Sequence, residues 1–66
     1  MAKQVELKGR RFWIFSEPEG PGWKASVSEL RDDGSQESVG IEALAETRSA
    51  VDDAAERKLR RLLRAY

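Results

Sequence analysis

In Trp23-Lys24-Ala25-Ser26-Val27-Ser28, apolar Trp23, Ala25 and Val27 alternate with polar Lys24, Ser26 and Ser28. A period of two marks a strand with one face buried and one face wet. Everything on either side reads outward from this strand. Towards the N-terminus lies Glu17-Pro18-Glu19-Gly20-Pro21-Gly22, a turn cluster whose two prolines cannot donate to a β ladder. Beyond it, Phe12-Trp13-Ile14-Phe15 is aromatic and β-branched, which suits a pleated, packed surface. Val5 and Leu7 either extend this first strand backwards or form a short separate one, because Lys8-Gly9-Arg10 can break it. Towards the C-terminus, Arg31-Asp32-Asp33-Gly34-Ser35 carries the Asp-Gly signal of a hairpin. After it, Val39-Gly40-Ile41-Glu42-Ala43 alternates again, with Val39, Ile41 and Ala43 on one face.

The last third of the chain changes period. Thr47 or Ser49 can cap a helix, since a hydroxyl accepts from an orphan N–H of the first turn. Asp52 and Asp53 near its start and arginines near its end complement the helix dipole. At about 100° per residue, Val51, Ala55, Leu59, Leu62, Leu63 and Tyr66 form one stripe. Arg57, Arg60, Arg61 and Arg64 fall on the opposite side, and Glu56–Arg60 and Asp53–Arg57 have ion-pair spacing.

These elements predict an α+β domain. Three strands joined by tight turns form an antiparallel meander (β-β-β), and one C-terminal amphipathic α-helix packs on one face. The predicted core is Ala25, Val27, Val39, Ile41 and Ala43 against Val51, Ala55, Leu59, Leu62 and Leu63. The first strand adds either Phe12 and Ile14 or Trp13 and Phe15; periodicity cannot choose, because both faces are apolar.

A chain of 66 residues makes one domain, spanning residues 1–66. So small a domain buries only roughly 60% of its unfolded surface. It has no cysteine and no histidine, so disulfides and the usual zinc ligands cannot help it. A good core or a second copy remains, which predicts a homo-oligomer, most simply a dimer, or a chain docked on a protein partner. The absence of cysteine and of an apolar leader in MAKQVELKGR points to the cytoplasm, and no apolar run is long enough for a membrane span.

Twelve basic and twelve acidic residues give zero net charge, unevenly placed. Residues 1–47 carry −3 and residues 48–66 carry +3. Two surfaces follow. One is the sheet face without a helix, where a spare aromatic pair stands beside Lys24, Ser26, Ser28, Glu42 and Leu44. The expected protein interface is Trp13, Phe15, Lys24 and Ser26, and its ordinary alternative is an N-terminal segment folded over the aromatics. The other is the arginine face, Arg57, Arg60, Arg61 and Arg64, which could grip nucleic-acid phosphates or merely be the solvated side of a helix. Zero net charge favours the latter. Catalysis has little to work with: no histidine base, no cysteine nucleophile and neither glycine-rich phosphate motif. The reading is therefore a non-enzymatic binding module without cofactor or metal, which self-associates or binds a protein partner through the helix-free sheet face or an exposed strand edge.

Two stretches resemble the N-terminal domain of HicB-type antitoxins. Trp23-Lys24-Ala25-Ser26-Val27-Ser28-Glu29-Leu30 is similar to that family's aromatic-x-Ala-x-Val-x-acidic-Leu strand. Thr47-Arg48-Ser49-Ala50-Val51-Asp52-Asp53-Ala54-Ala55 is similar to its helix start. Arg31-Asp32-Asp33 stands where the family carries Pro-Gly-Cys, and Ala50 where it carries an acidic residue. The resemblance implies a β-β-β-α layout, with toxin neutralisation as the associated role.

Overall fold

The computed structural model describes residues 2–64. It has four strands and one helix: β1 (Ala2–Leu7), β2 (Arg10–Glu19), β3 (Gly22–Leu30), β4 (Gln36–Ala45) and α1 (Arg48–Arg64). The strands form one antiparallel sheet in the order β1-β2-β3-β4. The three-stranded expectation is thus corrected to four. Val5 and Leu7 belong to a separate strand because the chain reverses at Lys8-Gly9. Both residues have positive φ, 54° and 75°, as a two-residue type I′ hairpin turn demands. Glycine takes that conformation freely, whereas a lysine there is uncommon, so composition alone does not announce the turn.

The second correction concerns Pro18. The turn cluster shrinks to Gly20-Pro21, and β2 runs on through Pro18 to Glu19. Gly20 supplies the positive φ, 57°, for the tight turn that pairs Glu19 with Gly22. Hydrogen-bonded and non-hydrogen-bonded pairs alternate from that closing pair, which leaves Pro18, opposite Trp23, at a position where β3 needs no donor.

The loop Arg31–Ser35 is closed by its own polar groups. Arg31 N–H donates to the Ser35 carbonyl at 2.9 Å and Gly34 N–H to the Arg31 carbonyl at 3.0 Å. The Asp33 carboxylate accepts from the Ser35 hydroxyl at 2.6 Å and from its N–H at 2.9 Å. These bonds hold the Asp33 carboxyl below the usual aspartate range.

The helix begins where Thr47 Oγ1 accepts from Ala50 N–H at 3.1 Å, a capping bond. It packs on β4, β3 and β2, while β1 lies largely outside its footprint. Phe12, Ile14, Ala25, Val27 and Ala43 from the sheet and Val51, Ala55, Leu59 and Leu63 from the helix make the buried core. The open choice on the first aromatic strand falls to Phe12 and Ile14, both fully buried. Val39 and Ile41 face the helix but are half-buried. Leu62, expected in the core, is half-buried at its margin among Arg10, Glu29, Arg31, Glu37 and Val39. Tyr66, the last residue of the expected stripe, lies outside the described residues.

That margin is closed by charge. Arg10 sits over the Phe12 ring at 5.4 Å and donates two hydrogen bonds, 2.8 and 2.7 Å, to the Glu29 carboxylate. The bonds from Arg10 hold the Glu29 carboxyl below the usual range, against a smaller opposing push from desolvation. Arg31 pairs with Glu37 beside them.

At the opposite end the chain is tight. A Cβ placed on Gly22 would stand 2.6 Å from the Ala45 carbonyl oxygen, which is backbone and cannot swing aside. Gly22→Ala is expected to destabilise the fold by about 1–3 kcal/mol, the usual range for overpacking. Urea unfolding checks this: the midpoint falls while the slope stays the same.

Candidate functional site: the open face of the sheet

Strand alternation puts Arg11, Trp13, Phe15 and Glu17 of β2 on the side away from the helix. Their partners on β3 share that side. Trp13 stands opposite Ser28, Phe15 opposite Ser26 and Glu17 opposite Lys24. β4 adds Glu42 and Leu44, opposite Ser26 and Lys24, and β1 adds Ala2 and Gln4, opposite Phe15 and Trp13. The four residues of the expected interface, Trp13, Phe15, Lys24 and Ser26, therefore lie together at the middle of one open face.

Its centre is aromatic. The rings of Trp13 and Phe15 are 6.4 Å apart and tilted by 31°, within the range of a favourable aromatic pair. Trp13 is half-buried by its strand neighbours, and Phe15 is 37% exposed. Leu44, at 74%, is more exposed than Phe15. Lys24 reaches diagonally to Glu42 at 3.7 Å. Small hydroxyls at Ser26 and Ser28 keep the face low beside the rings. The N-terminal segment does not fold over these aromatics: residues 2–7 add a strand at the sheet's edge and leave its face open.

The arginine face is also where the pattern put it. Arg57, Arg60, Arg61 and Arg64 are all exposed. Arg60 pairs with Glu56 at 2.8 Å, as the spacing predicts. Arg57 differs: its Nε donates to the Asp53 carbonyl at 3.5 Å and does not reach the carboxylate. Among the described residues, Arg61 and Arg64 have no carboxylate partner. These arginines share no surface with the aromatic pair, so the two expected sites are separate.

Sequence reasoning missed the basic groups that lock the helix to the sheet. Lys58 Nζ donates to the Glu42 carbonyl at 2.8 Å, Lys8 Nζ to the Leu63 carbonyl at 3.1 Å, and Lys3 lies 3.7 Å from Glu56. Only the position of Lys58 beside the apolar stripe hinted at this.

No helix among the described residues is long and apolar enough to cross a membrane. Comparison of the chain with protein-family models, curated proteins and solved structures returned no match.

Proposed function

We propose that this domain is a non-enzymatic binding module, working in the cytoplasm, that self-associates through the helix-free face of its sheet. The observation that carries this reading is the Trp13–Phe15 pair at the centre of that face, with small and polar neighbours around it. Aromatic anchors in a polar surround are the usual anatomy of an interface centre. The size of the face supports a second copy as occupant. A two-layer body of 36 × 25 × 16 Å offers a face of roughly 900 Å2 at most, close to the ~800 Å2 that each partner of a standard interface buries. Its charges, Arg11, Glu17, Lys24 and Glu42, are mixed in sign, which a self-complementary two-fold contact requires. A small core without disulfides also gains stability from association.

Trp13→Ala and Phe15→Ser test the reading. Each is expected to weaken association by about 2 kcal/mol or more, roughly 30-fold in Kd, with the circular dichroism spectrum of the fold retained. Sedimentation equilibrium over a concentration series gives the mass. Folded variants that assemble as tightly as the parent chain would overturn the proposal.

Phosphate contact by the arginine face is a second reading, favoured because Arg61 and Arg64 have no carboxylate partner among the described residues. Glu56 beside Arg60 and the zero net charge of the chain weigh against it.

A further inference from the structure

The two edges of the sheet are built differently. At the β4 edge the ladder is broken. Its register against β3 shifts by two residues between Ser26 and Ser28, and Gly40 within the bulge has φ 75°. Gly40 N–H donates to the Ser38 hydroxyl at 3.3 Å, and Lys58 Nζ occupies the Glu42 carbonyl at 2.8 Å. Bulges and lysines of this kind close an edge to further strands.

The β1 edge has no bulge, and its one lysine, Lys3, is drawn to Glu56 on the helix side at 3.7 Å and leaves the strand's backbone uncovered. Its six residues pair with β2 in unbroken register, from Leu7 opposite Arg10 to Ala2 opposite Phe15. It contains no proline, and among the described residues no side chain hydrogen-bonds to its backbone. The tight turn at Lys8-Gly9 makes Leu7 and Arg10 a hydrogen-bonded pair. Alternation then aims the backbone groups of Leu7, Val5 and Lys3 at β2, and those of Glu6, Gln4 and Ala2 outward. An outward row of this kind is a template for another strand. On the helix side of the same strand, Val5 and Leu7 touch the core but remain half-covered, because the helix lies over β2, β3 and β4.

We propose that β1 pairs antiparallel with β1 of a second copy, about a two-fold axis normal to the sheet, making one continuous eight-stranded sheet. The strand suits itself. With the axis at Val5, the two Val5 side chains meet, and Gln4 faces Glu6 of the second copy across backbone hydrogen bonds. Lys3 faces Leu7, so no like charges oppose, and Lys3 and Glu6 leave the strand neutral. The pairing also covers the half-buried Val5 of each copy with the other between the two helices, and lays the aliphatic stem of Lys3 against Leu7 of the second copy. This contact uses an edge, not the open face, so it stands or falls independently of the reading above. Both contacts together make a four-chain assembly with two kinds of two-fold interface.

Two single variants test the edge. Gln4→Pro removes an outward N–H that β2 does not use, so the folded chain survives while the edge pairing is lost. Val5→Cys places the chain's only thiol at the axis, in a non-hydrogen-bonded pair whose Cα separation of about 4.5 Å lies within disulfide range. The expected results are a halved assembly mass for Gln4→Pro, and conversion of most Val5→Cys to a covalent dimer under mild oxidation. Both should hold in the Trp13→Ala background, where Gln4→Pro leaves a folded monomer. A Gln4→Pro mass equal to that of its parent, or a Val5→Cys chain that stays uncrosslinked, would overturn the proposal.

Discussion

Phe12→Ala is expected to leave the domain largely unfolded at 25 °C, while Trp13→Ala, one residue along the same strand, leaves it folded. Phe12 is fully buried at the junction of β1, β2 and β3, with Arg10 laid over its ring. Truncating a buried phenylalanine costs about 3–5 kcal/mol, from lost transfer energy and the cavity left behind. A single core in a 66-residue domain supplies only about 3–5 kcal/mol, so the variant consumes most or all of it. The loss extends beyond the ring, because the Arg10–Glu29 pair then closes over an empty space. Trp13 points to the open face, where its loss removes contacts only with strand neighbours. Thermal unfolding followed by circular dichroism separates the two: no cooperative transition above 25 °C for Phe12→Ala, and a retained one for Trp13→Ala.

Leu59→Ala should cost about 2–5 kcal/mol, and Leu62→Ala less than half of whatever Leu59→Ala costs. The pair measures how the helix is rotated on the sheet. Leu59 is fully buried on the line Val51, Ala55, Leu59, Leu63, whereas Leu62 lies off that line among charged side chains that can close over a smaller residue. Urea midpoints for both variants provide the check. Equal losses would mean a helix turned towards Leu62, contrary to the arrangement described.

Both comparisons fall on positions that periodicity left open or misjudged. In Phe12-Trp13-Ile14-Phe15 every residue is apolar, so a period of two has nothing to register against. The choice is made elsewhere, by the Glu19–Gly22 turn that sets which residues of β2 oppose Ala25 and Val27. Leu62 fell inside the apolar stripe, but the stripe does not say where along its width the sheet ends. β1 was legible only as an alternative, since a lysine at positive φ is not a turn signal by type. Pro18 looks like a strand stopper by type, but its missing donor matters only at alternate positions of a strand. By contrast, the β3 and β4 alternation and the Glu56–Arg60 pair could be read from residue type and spacing alone, and the cap could be narrowed to Thr47 or Ser49, of which Thr47 makes the bond. For the open face, Trp13, Phe15, Lys24 and Ser26 could be grouped as soon as β2 and β3 were recognised as neighbours. Its edge could not be, because the difference between β1 and β4 resides in a bulge and in which backbone groups point outward.

The meander has a kinetic consequence. Each strand pairs with the next in sequence, across connections of two, two and five residues. Little loop-closure entropy is lost before each hairpin gains its ladder, which places this domain among the faster-folding sheets. The same local wiring lets the ends open separately. β1 is held by one ladder and a few side chains, so it can detach while β2, β3, β4 and the helix stay closed. In the isolated chain, its amides should exchange with solvent sooner than those of β3, and the strand proposed to bind a second copy would be the first to come undone.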